Sequence, residues 1–261
     1  MNQPLIIAHR GASGEAEDNS LEAFLLAAKQ GADMIEMDVR VTKDQVLVLN
    51  HNDRLKRFHP GLKISSKTYH ELIAFGMKFP KLEEVLEALP PHILINLDLK
   101  STLMDLALKE LINRKKLEKR IYFDTTNWLV LHRYQYFFPN ANFILSNSTS
   151  WDPLNVSTTY LGRIVRFLIP FFLSLPLKVL FKRKLNRVTV DYVTLYSRLC
   201  TKKDVEFYHS LGIKVFVFTI NKEENMRKFI ERGVDGIKTD NPGLLSRVIH
   251  EMNANGKITS R

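Results

Sequence analysis

Short apolar runs alternate with amphipathic stretches along nearly the whole chain, and this alternation restricts the possible folds more than any other feature. "LIIAH" reads as a strand and runs into the helical "SLEAFLLAAKQGA", with Ser20 as N-cap and Gly31 as the stop. "MIEMDV" and "VLVLNH" are extended, "KLEEVLEAL" is helical, and "HILINLDLK" is again a strand. The same rhythm continues through "TLMDLALKELINRK", "RIYFDTT", "WLVLHRYQYFF" and "NFILSN". It resumes with "TVDYVTLY", "KKDVEFYHSLG", "KVFVFTIN", "KEENMRKFIERG", "VDGIKTD" and "PGLLSRVIHEMN". Strands that alternate with helices imply a parallel sheet. About eight such units in 261 residues suit a closed (β/α)8 TIM barrel better than an open sheet. We expect an α/β single domain over residues 1–250 and a flexible tail over 251–261.

Only one cysteine is present, so a disulfide framework is excluded and a reducing, cytoplasmic setting is expected. Cys200, in "SRLCTKKD", lacks any nucleophile context and reads as a small residue near a strand end. The N-terminus has neither the basic start nor the long apolar stretch of a secretory signal. The formal net charge of +10 points to anionic partners.

Most of that charge sits in an unusual insertion around residues 158–188. It combines Phe167, Phe171, Phe172 and Phe181 with seven basic residues and no Asp or Glu. It is too short for a membrane span and is broken by Pro170 and Pro176. Peripheral contact of residues 160–187 with an anionic membrane is one expectation; a barrel helix with inward-packed phenylalanines is the other. Nucleic acid is not expected, because the basic residues interleave with aliphatics.

In such barrels the chemistry lies at the C-terminal strand ends. The first strand ends in His9-Arg10, the second carries Glu36 and Asp38, the next extended piece ends in His51, and "NLDLK" supplies Asp98 and Lys100. Residues two apart on a strand point the same way, so Glu36 and Asp38 share a face. Converging carboxylates repel unless a cation or proton lies between them. Glu36, Asp38 and Asp98 together make a hard, oxygen-lined site suited to Mg2+ or Ca2+ rather than zinc. The alternative is a salt-bridge network with Arg10 and Lys100. His9 and His51 are the candidate proton-transfer pair. Arg10 and Lys100 are the candidate phosphate clamp, one by bidentate hydrogen bonds and the other as a point charge.

"HRGASGEAEDNSLEAF", "GADMIEMDVRVTKD", "HNDRLKR", "NLDLK" and "FTIN…GVDGIKTDNP", in this order, resemble the glycerophosphodiester phosphodiesterase family. The resemblance covers most of the chain and is poorest over residues 150–190. It implies a metal-dependent barrel enzyme that cleaves glycerophosphodiesters to an alcohol and glycerol 3-phosphate. By position it implies catalytic His9 and His51, metal ligands Glu36, Asp38 and Asp98, and phosphate-binding Arg10 and Lys100. Some positions depart from the family pattern. Asp98 stands for a usual glutamate, Asn52 for an aspartate, Gln45 for a turn glycine, Phe218 for a tryptophan, and "AEDNS" for Pro-Glu-Asn-Thr. The substrate is therefore expected to be a small-molecule phosphodiester. Two alternatives stand beside it: lysophospholipids, cleaved at a membrane in the manner of a lysophospholipase D, and a catalytically weak phospholipid-binding member of the family.

Overall fold

A computed structural model of the chain describes residues 2–55, 61–100, 104–147, 188–256 and 258. The hydrophobic basic insertion lies outside the described residues, and so do both readings of it.

The strands are β1 (Leu5–His9), β2 (Met34–Val41), β3 (Leu47–Leu49), β4 (Leu94–Leu99), β5 (Ile121–Thr125), β6 (Asn142–Asn147), β7 (Tyr192–Tyr196), β8 (Lys214–Phe218) and β9 (Gly236–Thr239). Eight of them pair in parallel in the order β1-β9-β8-β7-β6-β5-β4-β2, and β1 pairing with β2 closes the ring. The short β3 is an antiparallel hairpin partner of β2. This is the expected TIM barrel. The main helices are α1 (Leu21–Lys29), α2 (Tyr69–Ala74), α3 (Leu82–Ala88), α4 (Asp105–Lys115), α5 (Trp128–Phe137), α6 (Lys202–His209), α7 (Glu223–Glu231) and α8 (Pro242–Ala254). The last helix runs past the expected boundary at residue 250, and Ile258 beyond it is buried.

Local signals account for many element ends. The Ser20 side chain accepts from the Ala23 N–H, and Gly31 takes a positive φ of 85° just past α1. Helix α2 starts at a full capping box between Thr68 and Glu71. Gln45, which stands where the resemblance has a turn glycine, adopts the left-handed φ of 64°. A side chain in that region costs roughly 1–2 kcal/mol.

The two faces of each strand do different work. Outward residues such as Ile35, Leu97, Phe123, Val193 and Val215 form the main core with Phe24, Val85, Leu108, Tyr134, Met226 and Leu245 of the helices. Inward residues stack in layers, following the two-residue period of a strand. Ile7, Met34, Tyr122, Ile144, Tyr192 and Phe216 form an apolar plug inside the barrel. Gly236 belongs to this layer, because a Cβ there would lie 2.6 Å from the Phe216 ring. One step up each strand the layer turns polar, with buried Glu36, Asn96, Asp124, Thr194 and Lys238. One further step reaches the mouth at Asp38, Asp98 and Tyr196, whereas on β1 and β8 the first step above the plug, to His9 and Phe218, is already the strand end.

Candidate active site

The first βα turn is bent to serve the mouth. Arg10 and Asn19 both have left-handed φ values, 58° and 57°, and Gly11 follows at 86°. Only glycine fits at position 11, since a Cβ would approach the Ala23 backbone to 2.6 Å. Strained backbone of this kind costs free energy and is concentrated at functional sites. Here it turns the Arg10 N–H onto Glu36 Oε2 at 3.0 Å. It also lets Asn19 grip Asp38 twice: Asn19 Nδ2 donates to Asp38 Oδ2 at 2.9 Å and the Asp38 N–H donates to Asn19 Oδ1 at 3.0 Å.

The three candidate ligands come together. Oxygen atoms of Glu36, Asp38 and Asp98 all lie within 4.8 Å of one another, on adjacent strands β2 and β4. An all-carboxylate set of this spacing fits a hard divalent cation. The alternative network forms as well. Arg10 Nε lies 3.0 Å from Asp38 Oδ2, and its Nη1 pairs with Asp18 at 3.0 Å. Lys100 Nζ bridges two of the three candidate ligands, 2.5 Å from Asp98 Oδ2 and 3.1 Å from Asp38 Oδ1. The carboxylate cluster is thus pre-assembled around an ammonium.

These neighbours set the protonation of the carboxylates. Burial opposes the charge on Asp38, yet Lys100 and Arg10, helped by Asn19, hold its carboxyl below the usual range. Asp98 goes the other way. Burial and the nearby Asp124 push it up to about 7, against the pull of Lys100.

Both histidines stand at the mouth, each with Nδ1 engaged. His9 Nδ1 lies 2.7 Å from Asp240 Oδ1. Asp240 is itself held, accepting from Asn221 Nδ2 at 2.5 Å and from Ser13 Oγ at 3.1 Å. Burial works against its charge, but the bonds from His9, Asn221 and Ser13 keep its carboxyl below the ordinary range. A carboxylate accepts only, so the His9 proton sits on Nδ1 and Nε2 is the basic atom. His51 Nδ1 lies 3.2 Å from Asn52 Oδ1, which sets the same tautomer. Asn52 thus takes an acceptor's place without an aspartate's charge. Burial pulls the His51 pKa below its ordinary value; Arg10 and Lys100 act in the same direction, and Asp38 opposes them.

Asp240, Asn221, Asp124 and Lys238 were missed in the sequence reading. Lys238 is wholly inside the barrel, its ammonium 3.2 Å from Asp124 Oδ2 and 4.0 Å from Glu36 Oε1. Asp124 also accepts from Asn96 Nδ2 at 3.3 Å and from Ser146 Oγ at 2.5 Å. A signal for two of them was present. Lys238 and Asp240 follow Gly236 at two-residue spacing in "GIKTD", the strand-end pattern that singled out Glu36 and Asp38. Cys200, by contrast, is buried, and burial pushes its thiol up to about 11, in keeping with a packing role.

Comparison with known proteins shows the family of the chain. The profile of the glycerophosphoryl diester phosphodiesterase family matches residues 9–244. A glycerophosphodiester phosphodiesterase of Caldanaerobacter subterraneus subsp. tengcongensis is 28% identical over 265 residues, covering 95% of this chain and 98% of its relative. A human lysophospholipase D is 27% identical over 281 residues, covering 95% of this chain and 87% of the human protein. The structure of an Oleispira antarctica phosphodiesterase in complex with the product sn-glycerol-3-phosphate superposes with a TM-score of 0.69 at 23% identity, covering 95% of this chain and 97% of that one. With the match running from His9 to the start of α8, this chain belongs to the glycerophosphoryl diester phosphodiesterase family and is a phosphoric diester hydrolase.

Proposed function

We propose that the barrel mouth hydrolyses glycerophosphodiesters to an alcohol and glycerol 3-phosphate, with His9 and His51 as the proton carriers and a divalent cation bound by Glu36, Asp38 and Asp98. The observation that carries this reading is the carboxylate cluster, with oxygens within 4.8 Å of one another, lying beside Arg10 and Lys100. A bound Mg2+ or Ca2+ would neutralise phosphoryl oxygens and favour the more negative transition state.

The chain's own groups supply the rest. Arg10 and Lys100 bind and orient the phosphate. Glu36, Asp38 and Asp98 would hold the cation, and Lys100, whose ammonium lies 2.5 Å from Asp98 Oδ2 and 3.1 Å from Asp38 Oδ1, stands at the edge of that cluster within reach of a substrate phosphate. One histidine Nε2 takes the proton from the attacking hydroxyl, and the other returns a proton to the departing alcohol oxygen. The attacker is either the glycerol 2-hydroxyl, giving a cyclic phosphate that water then opens, or water directly. Asp240 keeps His9 in the required tautomer and supports the imidazolium when it forms.

A second reading, lysophospholipid cleavage with release of the head group, is favoured by the likeness to the human lysophospholipase D. Choline release from glycerophosphocholine and from lysophosphatidylcholine, side by side with Mg2+, Ca2+ or EDTA, tests both. Metal-dependent release from the first alone supports the soluble diester. Preference for the second supports the lysophospholipid. No release from either with any metal, in folded protein, rejects both.

A further inference from the structure

Arg40 is set two residues beyond Asp38 on β2, opposite Val48 of β3. From there its half-buried side chain reaches two main-chain carbonyls just past the ends of two strands. Nη2 donates to the His51 carbonyl at 2.5 Å and Nη1 donates to the Lys100 carbonyl at 3.1 Å. His51 lies beyond the end of β3 at Leu49, and Lys100 beyond the end of β4 at Leu99, so neither carbonyl is held inside a strand. One planar guanidinium therefore ties together the two mouth segments that carry a candidate proton carrier and a candidate phosphate clamp.

We propose that Arg40 is a positioning residue that sets the separation of the His51 imidazole and the Lys100 ammonium by fixing both of their main chains. A carbonyl held by a donor restricts ψ of its own residue, and with it the direction in which that residue's Cα–Cβ bond leaves the main chain. The fork matters, because two Nη groups meet two carbonyls at once, which a single ammonium cannot do with the same geometry. Stability alone is a poor reason for this choice. The Arg40 Nε is buried without a hydrogen-bond partner among the described residues, and an unsatisfied buried donor is destabilising. An apolar side chain of similar volume often serves a buried position as well as a charged one or better. What the apolar side chain would lose is the register between the two segments, and misplacement of catalytic groups by about 1 Å is enough to cost on the order of a hundredfold in rate.

This inference rests on the roles proposed above for His51 and Lys100, and the test keeps the two apart. Glycerophosphocholine hydrolysis is measured at saturating cation for Arg40→Met, Arg40→Lys, His51→Ala and Lys100→Ala, and for Arg40→Met combined with His51→Ala. Cation binding by calorimetry and thermal melting are followed in parallel. Arg40→Met is expected to lower kcat by about ten- to a hundredfold and to raise KM severalfold. Cation affinity should stay within about threefold, since Glu36, Asp38 and Asp98 are untouched. Arg40→Lys should regain part of the loss. In the His51→Ala background, Arg40→Met should lower kcat by clearly less than it does in the wild type, because one of the two groups it positions is gone and only Lys100 is left to carry the effect. Wild-type kcat and KM in folded Arg40→Met overturn the proposal. So does a loss that multiplies in full with that of His51→Ala, or one that tracks the unfolded fraction. If His51→Ala and Lys100→Ala themselves keep wild-type turnover, the roles of those two residues fall instead.

Discussion

The two halves of the barrel mouth are built differently. Strands β1, β2 and β4, with the segment after β3, bring up every group that would meet substrate or cation: His9, Arg10, Glu36, Asp38, His51, Asp98 and Lys100. Strands β5 to β9 bring up groups that act on those groups. Asp240, itself held by Asn221, holds His9, and Asp124 and Lys238 sit beneath Glu36. The first half is rich in charges paired across strands, while the second supplies their counter-ions from below and from the side, along with the aromatic pair Tyr196 and Phe218, whose ring centroids are 5.9 Å apart. The candidate reactive atoms thus all come from one half of the chain, and the other half supplies the groups that hold His9 and underlie Glu36, while Asp38, His51 and Lys100 are held from within their own half by Asn19, Asn52 and Arg40.

That division can be broken in several ways. The largest expected effect comes from the supporting half. Lys238→Met strands Asp124 in the barrel interior, and breaking a buried pair in this manner costs about 3–5 kcal/mol. Denaturant unfolding should show this loss, and Lys238→Met with Asp124→Leu should recover most of it; a single variant as stable as the wild type would deny the pair its role. Next comes the reactive half. His9→Ala or His51→Ala should lower turnover by roughly two orders of magnitude or more with the melting transition retained. Near-normal turnover would remove that histidine from the mechanism.

Asp240→Asn sharpens the comparison, because it leaves His9 in place and changes only what holds it. We expect kcat to fall by about tenfold or more, less than for His9→Ala, with cation binding unchanged. A fall as deep as that of His9→Ala would erase the distinction between acting and supporting groups.

The smallest effect is one of pH. The His51 pKa is lowered in the folded chain, so in the window between that lowered value and about 6.5 the unfolded chain binds more protons than the folded one. This stabilising contribution is complete above about 6.5 and is lost as pH falls through the lowered value. If His51 is the base, the acid limb of kcat/KM lies below about 6.5 and disappears from the residual activity of His51→Ala.

Much of the reactive half was legible in sequence because it needs only strand alternation and the rule that barrel chemistry sits at strand ends. His9, Glu36, Asp38 and Asp98 follow from those two ideas alone. Asp240 obeys the same rule: it ends "VDGIKTD", a strand by the same alternation, and the early strands alone do not show that β9 closes against β1 to bring it to His9. Helix α2 was passed over although Thr68 and Glu71 spell a capping box at the right spacing. Arg40 and Asp124 are a different matter, and so are the partners of Lys238. These depend on which strands become neighbours: the spacing in "GIKTD" puts Lys238 on the inward face, but only closure of β9 against β1 carries it towards β2 and β5.

The buried lysine also changes what closing the ring means. Strand β9 completes the barrel by pairing with β1 and β8, and it is the strand that delivers the ammonium to Glu36 and Asp124. Until it docks, two carboxylates face an interior without their counter-ion. The final strand therefore acts as a latch that holds by charge as well as by backbone hydrogen bonds: the pairing of β9 with β1 and β8 and the Lys238–Asp124 contact are made in the same docking event.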